Sequence, residues 1–137
     1  MADTMLLQVV SPERMLVDEQ VTEAQIPALD GYIGALPGHA PLLSLLKPGG
    51  VLSYKSGGKD QLVAIYGGFV QILPDRVRVL ADSARPGVEI DLVAARERLK
   101  KAEELMARMQ QAEAVDLAGV LAEAMQAQAD VDAASAK

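Results

Sequence analysis

Between residues 5 and 82 apolar residues come in short runs closed by Gly, Pro, Asp or Ser at spacings of about ten residues, the signature of many short strands. The clearest are 6–11 (LLQVVS), 14–28 (RMLVDEQVTEAQIPA), 49–56 (GGVLSYKS), 61–73 (QLVAIYGGFVQIL) and 76–82 (RVRVLAD). The KSGGK stretch (55–59) supplies a hairpin loop, and LPDR (73–76) has the proline and aspartate of a type I turn. Gly67 and Gly68 interrupt an apolar run, which in a strand marks a bulge or a close backbone approach. This pattern predicts a sandwich or flattened barrel.

After residue 88 the period changes. Leu92, Ala95, Leu99, Ala102, Met106 and Met109 recur at steps of three and four, which places them on one face of a helix running over 90–111. Asp91 is positioned as its N-cap, and Glu97 with Lys101 makes an i, i+4 pair. Leu117, Val120, Ala124, Ala127 and Val131 repeat the spacing over about 116–133, and the link 111–115 (QAEAV) closes an antiparallel hairpin. The fold class is therefore α+β in two segregated parts: an all-β domain over 1–88 and a two-helix hairpin over 89–137. The seam is mostly alanine and methionine, and each buried CH₂ contributes only about 0.8 kcal/mol, so the hairpin is expected to be weakly held and able to repack.

Composition sharpens the division. All seven prolines, ten of the eleven glycines and all four aromatics precede residue 88. The formal net charge of −6 argues against a general nucleic-acid binder, which needs clustered Lys and Arg, and with no cysteine there is no thiolate chemistry. The start MADTMLLQVVSPERM reads as neither a signal nor a transit peptide, and no run is long enough to span a membrane. Candidate chemistry is sparse. The single histidine, His39, has no local nucleophile or second metal ligand, no P-loop or GxGxxG motif is present, and the acid pairs 18–19 and 103–104 read as solvated surface. These residues describe a binding or structural protein.

Three stretches, GYIGALPGHAPLLSLLKPGGV, YGGFVQILPDRVRVLAD and IDLVAARERLKKAEE, carry a resemblance. In order and separation they resemble the epsilon subunit of bacterial and chloroplast F-type ATP synthase. The resemblance implies a central-stalk subunit that is not itself an enzyme, whose sandwich grips the gamma subunit and the c-ring and whose hairpin restrains ATP hydrolysis by the alpha/beta catalytic subunits. It implies that a loop over 30–42 forms the gamma and c-ring interface, through Asp30, Gly31, Tyr32, Gly34, Pro37, Gly38, His39, Pro41 and Leu42. His39 either faces a partner there or closes a hydrogen bond of its turn. For the hairpin it implies a regulatory set of Asp91, Arg96, Arg98, Lys100, Lys101 and Arg108, the cations facing either acidic segments of the catalytic subunits or solvent.

Some relatives bind ATP through an I/L-D-x-x-R-A motif. Here Ile90 and Asp91 match, but Ala94 replaces the arginine, so weak or no ATP binding is expected, with no cofactor and no metal. The implied location is the cytoplasmic face of a bacterial inner membrane, held peripherally through the complex, rather than the stromal side of a thylakoid. The alternative function is a free-standing β-sandwich binding module or nucleotide sensor with no rotary partner.

Overall fold

The computed structural model describes residues 4–109 and 117–135. Among these, ten strands form two five-stranded sheets, followed by a short 3₁₀ turn and two helices. The first sheet has the order β2 (Met15–Val21), β1 (Met5–Val10), β9 (Arg76–Ala81), β8 (Gly68–Ile72), β5 (Leu42–Leu45). The second has the order β10 (Ala84–Pro86), β7 (Lys59–Ile65), β6 (Gly50–Ser56), β3 (Glu23–Ala28), β4 (Gly31–Ala35). All pairings are antiparallel except that of β1 with β9.

Alternation along the strands builds the core. In β1, Met5, Leu7 and Val9 are buried while Leu6, Gln8 and Val10 are half-buried, and β9 repeats this with Val77, Val79 and Ala81 inside. These side chains meet Ile26, Leu52, Val63 and Ile65 of the second sheet in one continuous core.

Two runs that read as single strands are each divided between the sheets. Segment 14–28 breaks at Thr22, after which the chain leaves the first sheet for the second. Segment 61–73 breaks at Tyr66–Gly67 and returns the chain to the first. Strands of globular domains run about five or six residues most often, so runs this long supply one strand to each layer.

The segment 30–42, expected as one loop, includes the whole of one strand and the start of another. Gly31–Ala35 is the edge strand of the second sheet, Leu42–Leu45 is the edge strand of the first, and only 36–41 turns between them. Gly31 stands at the strand start and Gly38 in the turn, where it takes φ +87°.

The helices are α1 (Leu92–Met109) and α2 (Leu117–Ser135). The Asp91 carboxylate accepts the backbone N–H groups of Val93 (3.0 Å) and Ala94 (3.3 Å), as expected of the N-cap. The link 111–115 and Asp116 lie outside the described residues, as do the side chains of Met109 and Leu117 and the terminal Lys137.

Candidate functional site

Two surfaces stand out, one on each sheet. Register places Leu45 beside Phe69, Phe69 beside Leu80, Leu80 beside Val10 and Val10 beside Met15, an apolar row crossing all five strands of the first sheet on its outer face. Four of the five are strongly exposed: Leu45 59%, Met15 50%, Phe69 45% and Leu80 43%. Leu43, one pleat along β5, is 69% exposed. A contiguous apolar strip of this kind marks a docking surface rather than ordinary scatter.

The nine residues expected at a single interface fall at two ends of the β4–β5 corner. Asp30 lies in the turn opening β4, with Gly31 and Tyr32 following, and the Leu29 N–H donates to the Leu45 carbonyl (2.8 Å), so this turn adjoins the apolar row. The Tyr32 ring is exposed, its hydroxyl accepts the Val51 N–H (3.3 Å), and the Lys47 ammonium sits 4.9 Å from its centroid. Gly34 faces the Gln25 side chain across the β3–β4 pair.

Pro37, Gly38, His39 and Pro41 form the turn at the other end of β4. There the Gly38 N–H donates to the Pro74 carbonyl (2.7 Å), tying this turn to the LPDR turn. The His39 Nδ1 lies 2.6 Å from the neighbouring Ala40 carbonyl, so the ring closes a local hydrogen bond within its turn, and the His39 backbone N–H donates to the Leu36 carbonyl (3.1 Å). Leu42 follows as the first residue of β5 and is 40% exposed.

The outer face of the second sheet is covered. Helix α2 lies across β6 and β7, where Ala129, Ala133 and Ala134 meet Ala64, Ile90 and Ala95, flanked by Val51, Leu62 and Tyr66. The contact is close enough that a Cβ on Gly49 would fall 2.4 Å from the Gln126 nitrogen, and one on Gly87 would fall 2.6 Å from the Ala133 oxygen. Neither glycine has a positive φ, so both are small because the backbone of α2 rests on them.

Polar contacts reinforce this thin alanine seam. The buried Asp130 carboxylate accepts the Tyr66 hydroxyl at Oδ1 and the Arg98 Nη1 at Oδ2 (2.8 Å). Arg98 also donates Nε (3.0 Å) and Nη2 (2.6 Å) to Glu123. Burial pushes the Tyr66 hydroxyl well above its ordinary pKa, and the hydrogen bond to Asp130 and that carboxylate's charge push it further. Partial burial of Arg98 works against its charge, but the Glu123 hydrogen bond and the charges of Glu123 and Asp130 outweigh it, so its pKa is raised. At the 3₁₀ turn Gly87–Glu89, Arg14 clasps Glu89 through both guanidinium ends (2.6 and 3.3 Å), and that hydrogen bond holds the Glu89 carboxyl below the usual range.

The expected regulatory cations therefore separate. Arg96, Lys100, Lys101 and Arg108 are exposed along α1, whereas Arg98 is drawn into the fold by two acids of α2. Of the motif residues considered for nucleotide, Ile90 is buried between sandwich and hairpin, Asp91 caps α1 and Ala94 is exposed. Tyr66, Glu123, Asp130, Gly49 and Gly87 were not singled out from sequence for these contacts. One signal was present: Asp130 follows Ala127 by three positions and precedes Ala133 and Ala134 by three and four, an acid at the spacing of the buried stripe. Among the described residues no cluster of His, Cys, Asp or Glu is arranged to hold a metal ion, and no helix is long and apolar enough to cross a membrane.

A sandwich with one open apolar face and a helical hairpin seated on the other is the build of an assembly subunit, which works through surfaces. The family model described as ATP synthase, Delta/Epsilon chain, beta-sandwich domain matches residues 4–87. The ATP synthase epsilon chain of Solibacter usitatus (strain Ellin6076) is 47% identical over 137 residues, covering all of both chains. That of Granulibacter bethesdensis (strain ATCC BAA-1260 / CGDNIH1) is 40% identical over 128 residues, 93% of this chain and 95% of the relative. This chain belongs to the ATP synthase epsilon chain family. Among solved structures, a chain of the Euglena gracilis mitochondrial ATP synthase, described as OSCP/F1/c-ring in rotational state 1, has a TM-score of 0.74 at 24% identity, covering 98% of this chain and 81% of that one, and shares the fold.

Proposed function

We propose that this chain is a non-catalytic central-stalk subunit of a rotary ATP synthase, which docks through the first sheet and the β4–β5 corner and restrains ATP hydrolysis through its hairpin. The observation that carries the docking half is the exposed row Leu45–Phe69–Leu80–Val10–Met15, open while the equivalent face of the second sheet is occupied. Its partners are the gamma subunit and the c-ring, with the catalytic alpha/beta subunits within reach of the hairpin. Two separated contact areas, the apolar row and the 36–41 turn, suit two partners better than one. Family membership favours this reading, and no feature favours a free-standing sensor. The complex holds the chain peripherally on the cytoplasmic face of the bacterial inner membrane.

Desolvated apolar anchors at an interface centre carry most of its binding energy, so Leu45→Glu with Phe69→Glu should reduce recovery of this chain with gamma from membranes about tenfold or more. The melting temperature of the free chain should stay near that of the unsubstituted protein, because both side chains already face water. Stoichiometric recovery of the doubly substituted chain with gamma would end the assignment of this face.

Nucleotide is not part of the proposed function. Ala94 offers no cation to phosphates, and the half-buried Arg98 is committed to Glu123 and Asp130. Titration calorimetry with Mg-ATP should show no saturation up to millimolar nucleotide; a micromolar isotherm would overturn this.

A further inference from the structure

The hairpin has two seams, one between α1 and α2 and one between α2 and the second sheet, and Asp130 sits on both. Its side chain is only 2% exposed, and its two oxygens are divided between partners on different elements. Oδ1 takes the hydroxyl of Tyr66, at the crossing from β7 to β8, and Oδ2 takes the guanidinium of Arg98, on α1. Tyr66 is itself fixed, its backbone N–H donating to the Ser83 carbonyl (2.9 Å).

We propose that Asp130 couples the two seams, so that α1 and α2 pair with each other and dock on the sandwich as one cooperative unit. The physical reason is the cost of a buried charge that has lost a partner. A carboxylate with both oxygens satisfied is tolerated in a low-dielectric seam; with one partner gone it is left partly uncompensated, and the position that buries it loses more than one hydrogen bond. Removing Tyr66 therefore weakens the position of α2 that Arg98 also depends on. Removing Arg98 does the same to the bond with Tyr66. The alanine contacts on either side are too small to hold one seam closed while the other opens. Gly49 and Gly87 reinforce the coupling, because they accept the backbone of α2 in this one position.

The test is native-state hydrogen exchange of the full-length chain, read separately over α1, α2 and the strands of the first sheet, for Tyr66→Phe, Arg98→Gln and the double variant. Tyr66→Phe should speed exchange in both helices by about tenfold or more, including α1, to which Tyr66 makes no hydrogen bond. The double variant should be accelerated less than the product of the two single factors, the mark of groups acting through a shared partner. Strand amides should be unchanged, which shows the sandwich intact. If Tyr66→Phe affects α2 alone, or if the two factors simply multiply, the coupling is refuted. Should Arg98→Gln loosen the strands as well, Asp130→Asn decides the question. It keeps the shape but removes the charge, and it must release α1 and α2 by similar factors; release of α2 with α1 unchanged overturns the proposal.

Discussion

An assembled ATP synthase whose epsilon chain ends at Val88 is expected to hydrolyse ATP severalfold faster than one carrying the full chain, while still coupling hydrolysis to proton movement. The sandwich core explains why coupling should survive. Every member of the main core cluster lies between Met5 and Ala81, and the apolar row with its β4–β5 corner is built wholly from residues before the cut. What the cut removes is the hairpin with its exposed cations on α1, along with the cover over Val51, Leu62 and Ala64. Steady-state hydrolysis and ATP-driven proton pumping in inverted membrane vesicles measure the two halves of this expectation. Equal rates for both enzymes would leave the hairpin without a restraining role. Faster hydrolysis with lost pumping would place part of the coupling in the hairpin.

Gly68→Ala should be among the most damaging single substitutions in the chain. An added Cβ would sit 2.1 Å from the Leu80 carbonyl oxygen and 2.9 Å from the Ala81 Cα, both backbone atoms of the paired strand β9. Gly68 also has φ +118°, a conformation that a side chain rarely adopts. Backbone strain and overpacking each cost about 1–3 kcal/mol, so a combined loss of about 3 kcal/mol or more is expected. In a domain of this size that lowers the melting temperature by roughly 10–20 °C. Thermal unfolding followed by circular dichroism tests it, with Gly57→Asn as the control. Gly57 also has positive φ (+59°), but a Cβ there meets nothing within 4 Å, and asparagine tolerates the left-handed region. A melting temperature for Gly68→Ala within a few degrees of the unsubstituted chain would show that the β8–β9 pair relaxes more easily than its geometry implies.

How much of this was legible in the sequence follows from the range of the forces involved. Strand alternation and helical spacing are local, so 76–82, the helix over 90–111 and the Asp91 cap could be read directly, and Gly67–Gly68 announced a close backbone approach that Leu80 supplies. Long apolar runs do not show where the chain changes layer, so the crossings at Thr22 and Tyr66 were hidden. The resemblance implied one loop over 30–42, whereas the strands flanking 36–41 are set by pairing with β3 and β8, which local sequence does not display. The open row on the first sheet depends on lateral register among β5, β8, β9, β1 and β2, which no single segment encodes. The bond between Tyr66 and Asp130 joins residues 64 positions apart, beyond any local pattern. Arg98 looked like one of five similar cations, and only the facing acids of α2 distinguish it.

The seat of α2 on the second sheet also bears on solubility. A helix that docks mainly through the methyl groups of Ala129, Ala133 and Ala134 carries little apolar surface of its own into solvent when it lifts. The departing helix then presents no broad greasy surface of the kind that drives proteins to clump, although Val51 and Leu62 are bared beneath it. A seam of leucine and phenylalanine would have exposed far more on the helix itself.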